Sequence, residues 1–221
     1  LAKISEDFEL AGEDHIKGYL LIHQPHVVGK SMTIKLTPIR VVCNNTLTFA
    51  LGEKGTASFR MPHVKEFGVD VMEAAEEALG LSAQKMSKFK EAAEFLSNKK
   101  AKHPQFLDFV GELYQPNTML TYRHEAKLKA DGKLIGEQAP LIEQFNKYPK
   151  LVVDALEQQP GANLASSKGT WWGALNAVTY VEDHLRESHE KGNSLHSSWF
   201  GVAANRKAKA LDLAIKYAET A

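Results

Sequence analysis

Eight side chains in this sequence have the type and spacing to hold a polyanion. Lys30, Lys35 and Arg40 recur at five-residue intervals in one stretch, and Asn44 follows. Lysine and arginine neutralise phosphates, while an asparagine amide can reach a phosphate or a base edge. Lys168 stands just before Trp171, where a helix start would leave backbone N–H groups free beside a cation. An exposed tryptophan next to a lysine would stack on a base. Arg206 and Lys209 share a face of a late helix, with Lys216 nearby, which suits phosphate contacts. Each has a structural alternative. Asn44, Asn45 and Asn176 also suit hydrogen bonds that fix one packing. Trp171 and the adjacent Trp172 also suit a core or a subunit interface. The late cations also suit a helix C-terminal dipole.

Other chemistries find less support. His23 and His26 are close, but a zinc site needs a third and usually a fourth ligand, and no CxxC or HExxH pattern supplies them. His184 and His189 are five apart and diverge around a helix axis, so they read as exposed polar histidines. Ser167-Lys168-Gly169-Thr170 lacks the upstream glycine of a phosphate loop, with Asn163 in its place. Cys43 is the sole cysteine. It reads as a small buried apolar filler and points to the cytoplasm as compartment.

The elements that must position these residues begin with Tyr19–Ile22 and the alternating Met32–Leu36, two strands joined across Gln24–Lys30. Thr37-Pro38 then predicts a helix from Pro38 to about Leu51, with Thr37 as N-cap. Glu53-Lys54-Gly55 predicts a turn, and Thr56–Met61 a short strand. Val64, Phe67, Val71, Ala75, Ala78 and Leu79 recur at helical spacing, with Gly80 ending that helix. Ser82 caps the next, carrying Met86, Phe89, Ala93 and Leu96 on one face. Pro104 opens another, with Phe106, Leu107, Val110 and Leu113 inside. Residues 115–140 are ambiguous between strand and helix around an Ala130–Lys133 turn. A helical pattern covers 137–157 with a break at Pro149. Helices from Trp171 to about Glu190 and from about Ser198 to Ala218 complete the chain. The fold class is α+β: a small antiparallel β-meander packed on a helix, then a mainly helical C-terminal region. The boundary falls at residue 62, giving a 1–62 unit and a 63–221 helical region.

Lysine plus arginine equals aspartate plus glutamate, 27 each, so net charge does not advertise nucleic-acid binding. The distribution is uneven. Val64–Gly80 is acidic and Leu81–Lys102 basic, which suits head-to-tail contact between copies as well as ordinary solvated faces. No run of eighteen apolar residues predicts a membrane span. The chain starts at Leu1 without a methionine or an apolar leader, which reads as a fragment lacking an N-terminal portion.

Three segments resemble a known family: Tyr19–Leu47, Gly169–His184 and Ser197–Ala214. The run Thr37-Pro38-Ile39-Arg40-Val41-Val42-Cys43-Asn44-Asn45-Thr46-Leu47 is similar to the T-P-x-R-V-V-C-x-N-T-L of phage/plasmid-like proteins in the domain-of-unknown-function 932 family. Gln24-Pro25-His26-Val27 departs from that family's S-H-D-G turn, and Thr179–His184 from its T-E-Y-V-D-H order. The resemblance implies a phage, plasmid or other mobile element, but no settled activity. The strand–strand–helix order is similar to the core of single-strand annealing proteins of recombination, which is a fold-level analogy. The leading expectation is therefore a homo-oligomeric protein that holds single-stranded DNA, with Lys30, Lys35 and Arg40 lining a groove between hairpin and helix. Annealing is positioning, so it needs no cofactor. The alternatives are a non-enzymatic protein that binds a host or phage protein, and a metal-dependent hydrolase around His23, His26 and His184.

Overall fold

The computed structural model describes residues 1–23, 31–47, 58–62, 69–114, 139–186 and 193–220. The predicted loop at 24–30, with Lys30 and His26, lies outside them. So do the turn at 53–55, residues 115–138 and His189.

The chain opens with two long strands. β1 (Ala2–Leu10) and β2 (Asp14–His23) form an antiparallel hairpin with Leu10 opposite Asp14. Its three-residue connection holds Ala11 and Gly12 at φ 52° and 72°, the left-handed region such a turn uses. Ile4, Phe8 and Leu10 are buried on one face of β1. Between Lys3 and Asp7 the register shifts. Gly18 sits across from that irregularity, where a Cβ would lie 2.7 Å from the Glu6 carbonyl oxygen and the Ile4 side chain.

β3 (Ser31–Arg40) pairs with β2 from Ile16↔Arg40 to His23↔Thr33, as the expected hairpin requires. The helix expected from Pro38 is absent among the described residues. Residues 38–40 finish β3, 41–44 turn, and β4 (Asn45–Thr46) pairs back onto Ile39 and Arg40. The physical reason lies in the sheet. The Pro38 carbonyl accepts from Leu47 N–H on the β4 side. Its missing donor therefore faces the same side, in the gap between β4 and β5 (Ser58–Pro62), whose pairing stops at Lys35. A proline costs no ladder bond there. Asn44, at φ 53°, completes the turn that the apolar Val41–Cys43 run disguised. The five strands form one sheet, antiparallel throughout.

The helices follow. α1 (Val69–Ser97) runs straight through Gly80, which is exposed and does not stop it, and Ser82 is a buried interior residue rather than a cap. Its Met86, Phe89, Ala93 and Leu96 are buried, as their spacing predicts. α2 (His103–Tyr114) starts at the predicted proline and buries Phe106, Phe109, Val110 and Leu113. Leu107 is instead exposed, because it falls off the i, i+3, i+4, i+7 stripe. α3 (Ala139–Gln158) continues across Pro149. α4 (Trp171–Tyr180) is buried nearly all round and ends in a π-helical turn, Val181–Leu185, earlier than expected. α5 (Asn193–Phe200) and α6 (Val202–Glu219) divide at Gly201 what the sequence reads as one helix.

One hydrophobic cluster holds residues of both the sheet and the helices. Phe8 of β1, Phe89 of α1 and Trp172 of α4 run through it, with ring centroids 6.2 and 6.1 Å apart. No described helix is long and apolar enough to cross a membrane.

Candidate nucleic-acid interface and buried polar centres

The structure separates the expected polyanion-binding residues. Lys35 and Arg40 are five apart on one strand, so they project to opposite faces of the sheet and line no common groove. Arg40 is fully buried. Its Nε donates to both Asp14 oxygens (2.8 and 3.0 Å), and its Nη2 to Asp14 Oδ2 (2.8 Å), Ser167 Oγ (2.7 Å) and the Gly161 carbonyl (3.2 Å). Such a guanidinium has no reach to a phosphate. Trp171 is likewise sealed, against Phe109 and Tyr217, so no base stacks on it. Arg206 is engaged by Glu182 (3.1 Å) and lies over the Tyr114 ring. Lys209 is exposed and reaches the Glu112 carbonyl (3.3 Å). Asn44 and Lys168 are exposed.

Lys168 has company that the sequence does not bring to it. Lys100 pairs as an isolated antiparallel bridge with Thr170. Ala101 N–H donates to the Gly169 carbonyl and Trp171 N–H to that of Lys99, both at 3.0 Å. The connection between α1 and α2 thus lies beside the loop before α4. That connection carries Lys99, Lys100 and Lys102, and the antiparallel count places Lys102 opposite Lys168. Lys100, Lys102 and Lys168 are exposed, and none of these four lysines pairs with a carboxylate among the described residues. Lys99 lies over its own helix's Phe95 ring.

Two polar centres sit beneath the surface at the ends of α4. At its start Asp14 is the hub. Besides Arg40 it accepts from Ser166 Oγ (2.7 Å) and Trp172 Nε1 (3.0 Å). Thr170 caps the helix by accepting from Gly173 N–H. Gly173 allows this close entry, since a Cβ there would fall 2.0 Å from the Ser167 carbonyl oxygen.

At the other end, the π turn sends Glu182 and Asp183 in different directions. Glu182 accepts from Tyr114, Arg186 and Arg206. Burial first, and then the Glu182 charge, drive the Tyr114 phenol far above its ordinary range, so it stays a donor. Asp183 takes the fully buried Lys207 at 2.6 Å, with Thr46 and Ser198 hydroxyls beside it. Lys207 also donates to Thr46 Oγ1 (2.6 Å) and Ser198 Oγ (3.1 Å). Burial lowers its proton affinity, and Asp183 opposes that shift. Asn45 of β4 donates to the Asn176 carbonyl (3.2 Å) and Thr179 Oγ1 (2.9 Å), the packing role expected of a buried asparagine. Lys35 lies close by. Its Nζ donates to the Trp199 carbonyl (2.8 Å) and lies over the Phe200 ring.

Sequence reasoning missed Asp14, Asp183, Ser198 and Lys207. The only available signal was a lysine, Lys207, on the alanine-lined side of the last helix. Cys43 is buried with its thiol unpaired to another cysteine, as expected, and burial pushes its proton affinity up. His184 is exposed and touches Asn45 Oδ1, while the His23 ring lies tilted against Phe200, centroids 5.2 Å apart. Among the described residues no three histidine, cysteine or acidic side chains gather as a metal site.

The family model described as "Domain of unknown function (DUF932)" matches residues 1–209. No curated protein and no solved structure matches.

Proposed function

We propose a function for this chain, which belongs to the DUF932 family: it binds single-stranded DNA through Lys99, Lys100, Lys102 and Lys168. The observation behind the reading is the Lys100–Thr170 bridge, which sets the segment carrying Lys99, Lys100 and Lys102 alongside the one carrying Lys168. Concentrated cations release counterions from a phosphate backbone even when the whole chain is neutral. Preference for a single strand is carried over from the fold-level analogy to annealing proteins of recombination, although the helix that analogy placed at Pro38 is strand and turn here. Binding of this kind positions strands and needs no cofactor. Copies of the chain assemble along the strand, the acidic start of α1 meeting the basic end of the next.

Anisotropy of a labelled oligonucleotide, titrated with salt, tests the site. The wild type binds at about 50 mM salt, and each phosphate contact contributes about 0.7 to the log–log slope. The triple variant Lys100→Glu, Lys102→Glu, Lys168→Glu lowers that slope by about 2. Absence of wild-type binding at 50 mM ends the reading, and an unchanged slope in the triple variant moves the site elsewhere. Light scattering with and without oligonucleotide tests assembly.

A further inference from the structure

The loop that carries Lys168 is tied down along its length by the polar centre at the start of α4. Arg40 Nη2 spans it, donating to the Gly161 carbonyl at its first turn (3.2 Å) and to Ser167 Oγ next to Lys168 (2.7 Å). Ser166 Oγ donates to Asp14 Oδ2 (2.7 Å). Ala165 N–H donates to Glu13 Oε1 (2.7 Å), in the turn between β1 and β2. Within the loop, the Leu164 carbonyl accepts from the N–H groups of both Ser167 and Lys168 at 2.9 Å. Thr170 Oγ1 donates to the Ser166 carbonyl at 2.7 Å. Gly161 admits the close approach. Its φ is 77°, and a Cβ there would stand 3.0 Å from Arg40 Nη2 and 2.6 Å from Val42 Cγ1. Ser166 and Ser167 are buried, whereas Lys168 is exposed. The cation stands at the surface and its backbone is anchored beneath it.

We propose that Ser166 and Ser167 are positioning residues for DNA binding. Through them the buried Asp14–Arg40 pair holds the 161–170 loop in the shape that sets Lys168 opposite Lys102. Both serines are buried, so neither touches the strand itself. This deepens the single-stranded DNA reading and rests on it for its binding half. A loop ordered in advance has already lost the conformational freedom that a slack loop must lose on its ligand. The cations are the same in either case, so positioning changes affinity but not the number of counterions released.

The double variant Ser166→Ala, Ser167→Ala cuts both ties and leaves the ion pair in place. Asp14 still accepts from Arg40 and Trp172, and Arg40 still donates to Asp14 and the Gly161 carbonyl. Amide hydrogen exchange, read by peptide mass, becomes about tenfold faster across 162–170 and stays unchanged in α2. At about 50 mM salt the variant binds a labelled single-stranded oligonucleotide about fivefold more weakly, with the wild-type salt slope. Asn45→Ala, at the far end of α4, binds as the wild type does. Glu13 gives the same test from the surface. Glu13→Ala and Glu13→Gln remove the same charge, but only glutamine keeps an acceptor for Ala165 N–H, so the faster exchange appears in the first and not in the second. Wild-type exchange across 162–170 in the double variant overturns the proposal. So does an unchanged affinity in it, or an equal loss of affinity in Asn45→Ala. A wild type that binds no oligonucleotide ends the DNA reading instead, and the exchange comparison then decides the anchoring of the loop by itself.

Discussion

The two ends of α4 each bury an ion pair, and they solve the charge problem differently. At the start, Arg40 and Asp14 are both fully buried, and all three guanidinium nitrogens have acceptors. Asp14 in turn serves a serine and a tryptophan. At the far end, Lys207 and Asp183 are just as well matched, but a second lysine, Lys35, stands nearby and meets a backbone carbonyl and an aromatic ring, with no carboxylate among the described residues. A closed network rigidifies a fold. A surplus charge in a partly dry corner is instead an energetic compromise, and such compromises gather at sites of chemistry. The comparison sets a closed network against one that carries an additional, partly buried cation.

The strongest challenge to it is Asp14→Ala. The variant strands the Arg40 guanidinium inside the protein, and the expected loss is about 3–5 kcal/mol in urea unfolding. A loss below about 1 kcal/mol would mean the first centre is not closed. The second centre is tested by pH. The folded state holds Lys35 near 8, against 10.5 for an ordinary lysine. Between those values the unfolded chain binds more protons, so stability rises with pH across the window, and below about 8, where both states are protonated, the contribution is gone. The gain is about 1–2 kcal/mol after allowance for solvent screening. It disappears in Lys35→Met. An equal rise in wild type and variant would assign it to other groups. Smallest is Asn45→Ala, which loses the bonds to Asn176 and Thr179 that tie β4 to α4. It costs about 1 kcal/mol in thermal unfolding.

Legibility in the sequence followed the range of the interactions involved. Phe89, Phe106 and Leu96 announced themselves by helical spacing, and Met32–Leu36 by alternation, because these are single-element periods. The run Thr37–Leu47 misled. Thr-Pro followed by apolar residues is a local helix signal, yet β2 supplies eight strand partners that extend β3 to Arg40. Pairing with a distant strand overrode propensity there. Arg40 was read as a phosphate contact for a related reason: an arginine looks alike in sequence whether it meets water or a buried carboxylate.

The α+β class, the packing role of Asn45 and the burial of Cys43 were legible in the sequence, since each depends on residue type and near neighbours, whereas strand β1 went unread and residues 38–47 proved strand and turn rather than helix. Which cations are free was decided only in three dimensions. Arg40 finds Asp14 across one strand pair and Ser167 more than a hundred residues away. Lys168 gains Lys100 through a two-residue bridge. A charge becomes structural or available according to what the fold places within a few ångströms of it, and Coulomb energies at that range depend on burial that no linear pattern encodes.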